Sequence, residues 1–336
     1  MAGFRNSFIH GFGFLSNLWS TKQLIGLSKT NLLLPVYHTI SDQQLPHISG
    51  LYKVKDSTSF EQDLDFLLKH FQPIQLDQLI DHSNGINQIK KPSFLLTFDD
   101  GLSQFHDIIA PILEQKGVPA ICFLNSAFID NKALFYRYKA SLLINHLQQD
   151  PTKIIELKSE LKGSSNFKEY LLSIPYKDQR ILDQIANKLD IDFEKYLKEN
   201  QPYLNAEHIN SLIKKGIHFG AHSIDHPEYQ YLDVSEQMRQ TNESINFVCK
   251  KFEIKDRLFA FPFTDYGVGN DFFEQANRQD IFDISFGSAG LKREAMSSHL
   301  QRVPLEMENL TAQDILKAEM LYAVLRNFLG KDKIVR

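Results

Sequence analysis

The stretch SFLLTFDDG, residues 93–101, joins a continuously apolar run to two adjacent carboxylates and a glycine. An uninterrupted apolar run is typical of a strand that is covered on both faces, as in a parallel sheet, because half-exposed strands alternate apolar and polar residues. Asp99 and Asp100 therefore follow directly after a predicted buried strand. In parallel α/β folds, functional groups collect in the loops at the C-terminal ends of the strands. This stretch thus predicts both a parallel sheet and its functional edge.

Apolar runs and helical patterns alternate on both sides of this stretch. Further strands are predicted within NLLLPVYHTI (31–40), VPAICFLN (118–125), IHFGAHS (217–223), RLFAFPF (257–263) and IFDISFG (281–287). Helices are predicted between them, one behind a Ser59/Gln62 capping box and a longer one behind an Asp233/Glu236 capping box. Repeated βα units of this kind predict an α/β fold whose parallel sheet is either open or closed into a barrel.

The alternation of strands and helices is interrupted between about residues 131 and 203, where the pattern is helical. No linker-like composition bounds this region, so we interpret it as a helical insertion that forms a lid or a substrate wall. The predicted organisation is an N-terminal amphipathic segment over residues 1–30, followed by a single domain over residues 31–330 that contains the insertion.

Composition excludes several classes of partner. The chain has 37 Lys and Arg against 41 Asp and Glu, a net charge of -4, and no basic run, so a nucleic-acid partner is not expected. No apolar run is long enough for a transmembrane segment. Cys122 and Cys249 lack a CxxC spacing and are interpreted as free thiols in a reducing compartment. The N-terminus does not resemble a secretory signal, and we therefore expect a cytoplasmic location.

The N-terminal segment carries aromatic and aliphatic residues at helical spacing: Phe4, Phe8, Phe12, Leu15 and Trp19. This spacing predicts an amphipathic helix. Two interpretations remain open at this point. The helix packs on the body of the protein, or residues 4–19 contact a membrane surface or a partner.

Two features carry the chemistry. Adjacent Asp99 and Asp100 repel each other, so one pKa rises unless a cation or hydrogen-bond donors neutralise the pair. In GAHSIDHPEY (220–229), His222 and His226 are four residues apart, which on a helical turn lets both imidazoles bind one ion. Taken alone, the two aspartates could form a DDG turn that caps the next helix. Taken alone, the two histidines could be ordinary surface residues. Together they predict a metal site of two histidines and one carboxylate, with open positions for water and substrate.

The motifs TFDDG (97–101) and HSIDH (222–226), in this order, resemble the first two motifs of the polysaccharide deacetylases, the chitooligosaccharide deacetylase homology domain of carbohydrate esterase family 4. LPVYHTI (34–40) looks most similar to the branch that contains the bacterial poly-N-acetylglucosamine deacetylases. The resemblance implies a distorted (β/α) barrel of about seven parallel strands with a helical insertion. It also implies a metal-dependent hydrolase that removes N-acetyl groups from amino sugars of a polysaccharide or its precursor.

Residue by residue, the resemblance implies that Asp100, His222 and His226 bind a divalent metal, Zn²⁺ or another transition metal. Asp99 is then the general base. An N-acetylated saccharide is the implied substrate, and the backbone N–H of Phe263 is the implied donor to the oxyanion that forms during hydrolysis.

The chain departs from the family pattern at two positions. The third motif usually has an arginine that contacts the catalytic aspartate, but Ala260 stands there, and Arg302 in LQRVPLE (300–306) is our candidate substitute. The usual late histidine, the general acid, is also not evident. In the poly-N-acetylglucosamine branch an N-terminal histidine is thought to take that role, which corresponds to His38, with His299 as the second choice.

The roles of four flanking residues follow from their positions beside these motifs. Ser223 and Asp225, between the two histidines, are expected to fix the orientation of the rings or of the loop. Asp265 and Tyr266 are expected to border the site and hydrogen-bond a sugar, although a turn ending at Gly267 would explain Asp265 equally well.

Two other functions compete with deacetylation. A carbohydrate-binding relative without turnover is favoured by the missing third-motif arginine and disfavoured by the complete metal triad. Glycoside hydrolysis needs two carboxyl groups about 5 to 9 Å apart across the scissile bond, and an adjacent Asp99/Asp100 pair does not provide them.

Overall fold

The computed structural model describes residues 2–157, 166–334 and 336. The side chains of residues 2–4, 155 and 156 are outside this description, and so is part of the predicted insertion, residues 158–165.

The strands β1 to β11 span Leu32–Leu33, Pro35–Tyr37, Gln72–Pro73, Ser93–Phe94, Leu96–Phe98, Ala120–Leu124, His218–Ala221, Leu258–Ala260, Ile284–Gly287, His299–Gln301 and Val303–Pro304. The α-helices α1 to α14 span Ala2–Phe12, Thr21–Ser28, Pro46–Ser49, Ser57–His70, Leu76–Ser83, Ala110–Lys116, Tyr136–Gln149, Phe167–Ser173, Arg180–Lys188, Phe193–Asn200, Ala206–Lys214, Val234–Phe252, Asn270–Arg278 and Ala312–Phe328. Short 3-10 or π-helical turns cover Gly13–Leu18, Phe105–Ile109, Ile129–Asn131, Pro151–Leu157, Tyr176–Asp178 and Tyr229–Tyr231.

The main sheet is parallel throughout, with the order β10-β9-β8-β7-β6-β5-β2-β11. Its two outermost strands, β10 and β11, are consecutive in sequence and separated only by Arg302. The first half of the segment 299–304 pairs with β9 and its second half pairs with β2. Seven segments of the chain therefore form a nearly closed barrel, which confirms the predicted distorted (β/α) barrel.

Apolar residues from several strands meet inside the barrel. One buried cluster contains Leu34, Leu95, Ile121, Phe123, Leu258, Ala260, Ile284 and Phe286. A second, larger cluster contains the residues that alternate with these, such as Cys122 and Phe259, packed against the surrounding helices. Because successive side chains of a strand point to opposite faces, both faces of these strands are covered. This double coverage is why the strands read as continuous apolar runs.

The predicted insertion lies between the turn Ile129–Asn131 and α11 and supplies helices α7 to α10. Its apolar residues pack around a buried cluster that includes Tyr138, Leu143, Leu182 and Tyr203. Helix α3 packs against α7, where a side chain at Gly50 would come within 2.8 Å of Ser141 Oγ. Only glycine allows this close approach of the two helices.

The N-terminal segment packs against α14. The ring of Phe8 lies 5.0 Å from that of Tyr322, and Arg5 Nε donates to Glu319 at 2.7 Å. Phe12, Phe14 and Leu18 remain exposed to solvent. Among the helices described by the structure, none has the length and apolar character needed to cross a bilayer. Cys122 and Cys249 are both free thiols.

Candidate functional site

Three potential metal ligands converge at the C-terminal ends of neighbouring strands. Asp100 follows β5, and His222 and His226 follow β7. Asp100 Oδ1 lies 3.2 Å from His226 Nε2 and 3.7 Å from His222 Nε2. All three side chains are buried, and one potential ligand atom from each lies within 4.8 Å of the others. The predicted triad is therefore assembled in space.

The protonation of His222 suits a role as a ligand. Its Nδ1 lies 2.8 Å from the carbonyl oxygen of Ala260, which can only accept a hydrogen bond, so Nδ1 carries the hydrogen and Nε2 presents a lone pair. Burial lowers the pKa of His222 to about 4, which keeps the ring neutral. The triad atoms His222 Nε2 and Asp100 Oδ1 are buried without a hydrogen-bond partner among the described residues. Orphaned buried acceptors are costly, and a cation bound between them would satisfy both.

The loops that carry the triad adopt a backbone conformation that L-residues disfavour. Asp100, Ser223, His226 and Phe263 all have positive φ angles, of 71°, 71°, 64° and 56°. Ser223 Oγ accepts a hydrogen bond from the backbone N–H of His226 at 3.0 Å and so stabilises the turn between the histidines. Strained residues persist only where the surrounding structure imposes them, and they concentrate at functional sites.

Asp99, the neighbour of Asp100, is paired with Arg302. Arg302 donates from Nη1 to Asp99 Oδ1 at 2.6 Å and from Nη2 to Asp99 Oδ2 at 2.8 Å, and both side chains are buried. Burial alone would raise the pKa of Asp99, but the Arg302 guanidinium outweighs it and holds that pKa below its usual range. Arg302 reaches Asp99 from the segment that closes the barrel, whereas Ala260 belongs to β8.

His38 follows β2, the strand beside β5, and interacts with Glu306. His38 Nδ1 donates to Glu306 Oε2 at 2.5 Å, and the backbone N–H groups of His38 and Thr39 donate to the same carboxylate at 2.9 and 3.1 Å. Burial alone would lower the pKa of His38, but the negative charge of Glu306 raises it to about 10. The His38 side chain is 35% exposed and Glu306 only 7%, so the imidazolium is accessible while its counter-charge is not.

Phe263 and Tyr266 border the triad on the loop after β8. The ring of Phe263 lies 4.6 Å from that of His226, and both Phe263 and Tyr266 are exposed. The backbone N–H of Phe263 has no hydrogen-bond partner among the described residues and is free to donate to a ligand. The loop therefore offers one backbone donor and two exposed aromatic rings.

The structure does not place Asp265 where a sugar could reach it. Asp265 is 2% exposed and is bonded to Arg336 and His299. Its carbonyl oxygen accepts a hydrogen bond from the N–H of Val268 at 3.2 Å, and Gly267 has a φ of 83°. The alternative interpretation of this residue, a turn through Gly267, describes the structure better.

His299, the second choice for the general acid, is directed away from the triad. The side chains of Leu300 and Arg302 point into the barrel. Because successive side chains of a strand point to opposite faces, the side chain of His299 faces outside the barrel. There, its Nδ1 lies 2.8 Å from Ser285 Oγ and its Nε2 lies 3.2 Å from Asp265 Oδ2. This leaves His38 as the histidine at the candidate site outside the triad.

Two residues at the site were missed by the sequence analysis. Tyr138, on α7, donates from its hydroxyl to Asp100 Oδ2 at 2.8 Å. Glu306 holds His38 from a position 268 residues further along the chain. Glu306 ends the same LQRVPLE stretch that suggested Arg302, and this proximity was the one available signal. Tyr138 belongs to no recognised motif.

Comparison with protein families supports a relationship across the centre of the chain. Residues 87–279, more than half of the chain, match the model of a family described as polysaccharide deacetylase. No curated protein matches the chain.

Several solved structures have a similar fold. The Streptococcus pyogenes deacetylase PplD, solved in complex with acetate, has a TM-score of 0.55 at 12% identity, over 86% of this chain and 97% of that chain. IcaB from Ammonifex degensii has a TM-score of 0.52 at 14% identity, over 87% of this chain and 97% of that chain. A de-N-acetylase from Aggregatibacter actinomycetemcomitans has a TM-score of 0.53 at 13% identity, over 85% of this chain and 99% of that chain. At such low identity, these likenesses demonstrate a shared fold.

Proposed function

Since the chain belongs to the polysaccharide deacetylase family, we propose that it is a metal-dependent hydrolase that removes N-acetyl groups from amino sugars of a polysaccharide or of its precursor. One observation carries this proposal. Asp100 Oδ1 and His222 Nε2, which have no hydrogen-bond partner among the described residues, lie beside a second carboxylate, Asp99. The guanidinium of Arg302 holds Asp99 in place. A cation site with an adjacent fixed base is what hydrolysis of an unactivated amide needs.

Asp100, His222 and His226 would hold the metal. Two imidazoles and one carboxylate suit Zn²⁺, and other transition metals bind the same donor set. When bound, the ion would supply Lewis-acid polarisation of the amide carbonyl and would acidify water. The neutral state of His222 and the Nδ1 hydrogen bond to Ala260 prepare its Nε2 for this role.

Asp99 is the proposed general base. Arg302 keeps the pKa of Asp99 below its usual range, so the group is a carboxylate at neutral pH and can accept a proton from the attacking water. The two-point contact with Arg302 also fixes the plane of the carboxylate, which positions the base for that transfer.

His38 is the proposed general acid. Glu306 raises the pKa of His38 to about 10, so the ring is protonated at neutral pH. The bond from Nδ1 to Glu306 leaves Nε2 as the nitrogen that can donate a proton to the leaving amine. Donation of this proton allows the amine to leave as a neutral group.

The backbone N–H of Phe263 is the proposed donor to the oxygen that gains negative charge when the carbonyl is attacked. It is unpaired among the described residues and belongs to a residue whose backbone is held at a φ of 56°. A donor that is fixed before the reaction stabilises developing charge without reorganisation. The exposed rings of Phe263 and Tyr266 provide apolar surface against which a sugar could pack.

Acetate release from a panel of N-acetylated saccharides and nucleotide sugars, with and without a chelator, tests this function. We expect acetate from at least one N-acetylhexosamine oligomer, loss of activity with the chelator, and recovery on adding Zn²⁺. Absence of acetate from every substrate, with the metal-loaded protein, would overturn the proposal. Saccharide binding without acetate release would select the non-catalytic relative, and a shortened saccharide chain would indicate glycoside hydrolysis.

A further inference from the structure

The described part of the helical insertion, residues 131–157 and 166–203, is hydrogen-bonded to the first of the two stretches of chain that carry the triad. The hydroxyl of Tyr138 donates to Asp100 Oδ2 at 2.8 Å, and both side chains are buried. The other carboxylate oxygen, Oδ1, faces His222 and His226 and has no hydrogen-bond donor among the described residues. Tyr138 thus engages one oxygen of Asp100 and leaves the other for the ion.

The position of Tyr138 is itself fixed by the aromatic residues around it. Its ring packs edge-on against Phe135 at 5.0 Å and against His47 at 5.1 Å, and it stacks on Tyr203 at 6.2 Å. The hydroxyl oxygen of Tyr203 accepts a hydrogen bond from the backbone N–H of Phe135 at 3.1 Å. These contacts tie the start and the end of the insertion together around the ring that holds Asp100.

The insertion also contacts the second ligand-bearing stretch, between and after the two histidines. Tyr176 donates to Asp225 Oδ2 at 2.6 Å. Glu228 Oε1 accepts from the Tyr136 hydroxyl at 2.6 Å and from Arg137 Nη2 at 2.9 Å. The separate contacts on both sides of His226 restrict the movement of its loop.

Backbone hydrogen bonds add a third connection. Residues at and directly after the end of the insertion pair with the chain immediately after Asp100. The N–H of Leu204 donates to the carbonyl of Gly101, and the N–H of Ser103 donates to the carbonyl of Pro202, both at 2.9 Å. Residues 101–103, which follow Asp100, are therefore hydrogen-bonded to the end of the insertion.

We infer that the insertion is part of the metal site, with Tyr138 as the positioning residue that directs Asp100 Oδ1 towards the ion, so that metal binding and the ordering of the insertion are thermodynamically coupled. The inference rests on the proposed metal-dependent function. Coupling between two sites is reciprocal. If a residue of the insertion raises the affinity for the metal, binding of the metal must stabilise the insertion to the same extent. Groups that orient metal ligands without touching the metal affect its affinity in this way.

The first test compares two buried tyrosines whose hydroxyls each donate to a carboxylate, by measuring Zn²⁺ affinity in chelator competition with no saccharide present. Tyr138→Phe removes only the hydroxyl that contacts Asp100, and we expect the affinity to fall about 10- to 100-fold. Tyr37→Phe is the matched control, because the Tyr37 hydroxyl is also buried and donates at 3.0 Å to Asp63, a carboxylate outside the triad. We expect its affinity for Zn²⁺ to be unchanged. The unfolding temperature of the metal-free protein shows whether the Tyr138 hydroxyl positions Asp100 or only stabilises the fold. A purely structural role would lower the unfolding temperature without a specific loss of Zn²⁺ affinity.

The second test measures amide hydrogen exchange of the wild-type protein with and without Zn²⁺. We expect the metal to slow exchange in α7 and around Tyr176 as well as in the barrel loops, and we expect this remote protection to shrink in Tyr138→Phe. Equal Zn²⁺ affinity of the two variants, or protection confined to the barrel, would overturn the inference while leaving the proposed function intact. A wild-type protein that binds no transition metal would overturn both.

Discussion

Arg302 and Asp99 form a buried, two-point ion pair at the centre of the site, with N to O distances of 2.6 and 2.8 Å. The carbon of the same guanidinium lies 5.3 Å from the ring centre of Phe123, an apolar residue of the barrel interior. Asp100, one residue further on, accepts a hydrogen bond from Tyr138 through Oδ2, while His222 Nε2 lies 3.8 Å from Asp99 Oδ2 and 3.7 Å from Asp100 Oδ1. Arg302 therefore neutralises Asp99, and Asp100 keeps one oxygen that a bound cation would satisfy.

Replacing Arg302 with methionine leaves the buried Asp99 carboxylate unpaired. We expect Arg302→Met to lower the free energy of unfolding at neutral pH by about 3 to 5 kcal/mol, the usual cost of breaking a buried pair. Arg302 lowers the pKa of Asp99, so the stabilisation is present above the unfolded-state pKa and is lost as pH falls through the folded-state pKa. The difference from wild type, measured by urea denaturation, therefore shrinks in acid.

The control for this prediction is the double variant Asp99→Asn with Arg302→Met, in which no charge of the pair remains. We expect it to recover much of the lost stability, because replacing both members of a buried pair costs less than removing one. A double variant as unstable as Arg302→Met alone would show that packing, and not the unpaired charge, causes the loss.

Asp99 and His222 are expected to differ in their effects on metal binding. Asp99→Asn should abolish acetate release and still bind Zn²⁺, because Asp99 is the proposed base and is not among the triad ligands. His222→Ala should lose both, since its Nε2 is one of the orphaned triad atoms. Metal content after dialysis and acetate release are measured on the same preparations. Full activity in Asp99→Asn would refute its assignment as base.

The barrel and the triad could be predicted from the sequence because their signals are local. TFDDG and HSIDH each place functional residues within five consecutive positions, directly after apolar strands. Glu306 and Tyr138 could not be found in this way. They reach the site through tertiary contacts with His38 and Asp100, across 268 and 38 residues, and no short-range pattern reports such contacts.

The first residues of two helices show which features a local sequence pattern can predict. Asp233 caps α12 as predicted, and its side chain accepts the N–H of Glu236 at 2.8 Å. The predicted capping box is only half formed, because the Glu236 carboxylate accepts from Arg239 and Gln240 instead. The predicted Ser59/Gln62 capping box is wrong, because α4 begins earlier, at Ser57, and Asp56 accepts the N–H of Ser59 at 2.7 Å. Asp56 lies three residues before Ser59, and its carboxylate, a stronger acceptor than the serine hydroxyl, forms the cap.

His38 and His299 are expected to contribute differently to catalysis. We expect His38→Gln to lower kcat about 10² to 10⁴-fold, the usual effect of removing a general acid. His299→Gln should lower the unfolding temperature and change kcat little, since His299 is buried on the outer side of the barrel between Ser285 and Asp265. Steady-state kinetics and thermal unfolding of both variants check this. A larger loss of kcat in His299→Gln than in His38→Gln would reverse the assignment.

The pH dependence of the reaction is expected to depend on Glu306. Glu306 raises the pKa of His38 to about 10, so the protonated ring persists below that value and is lost as pH rises through it. Glu306→Gln removes the counter-charge, and the pKa of His38 should then fall towards the ordinary histidine value of about 6.5. The alkaline limb of kcat/KM, measured between about pH 6 and 11, should move to lower pH by the same shift. Glu294→Gln is a matched control, since Glu294 pairs with Arg336 instead. An alkaline limb unchanged by Glu306→Gln would show that His38 does not supply the proton to the leaving amine.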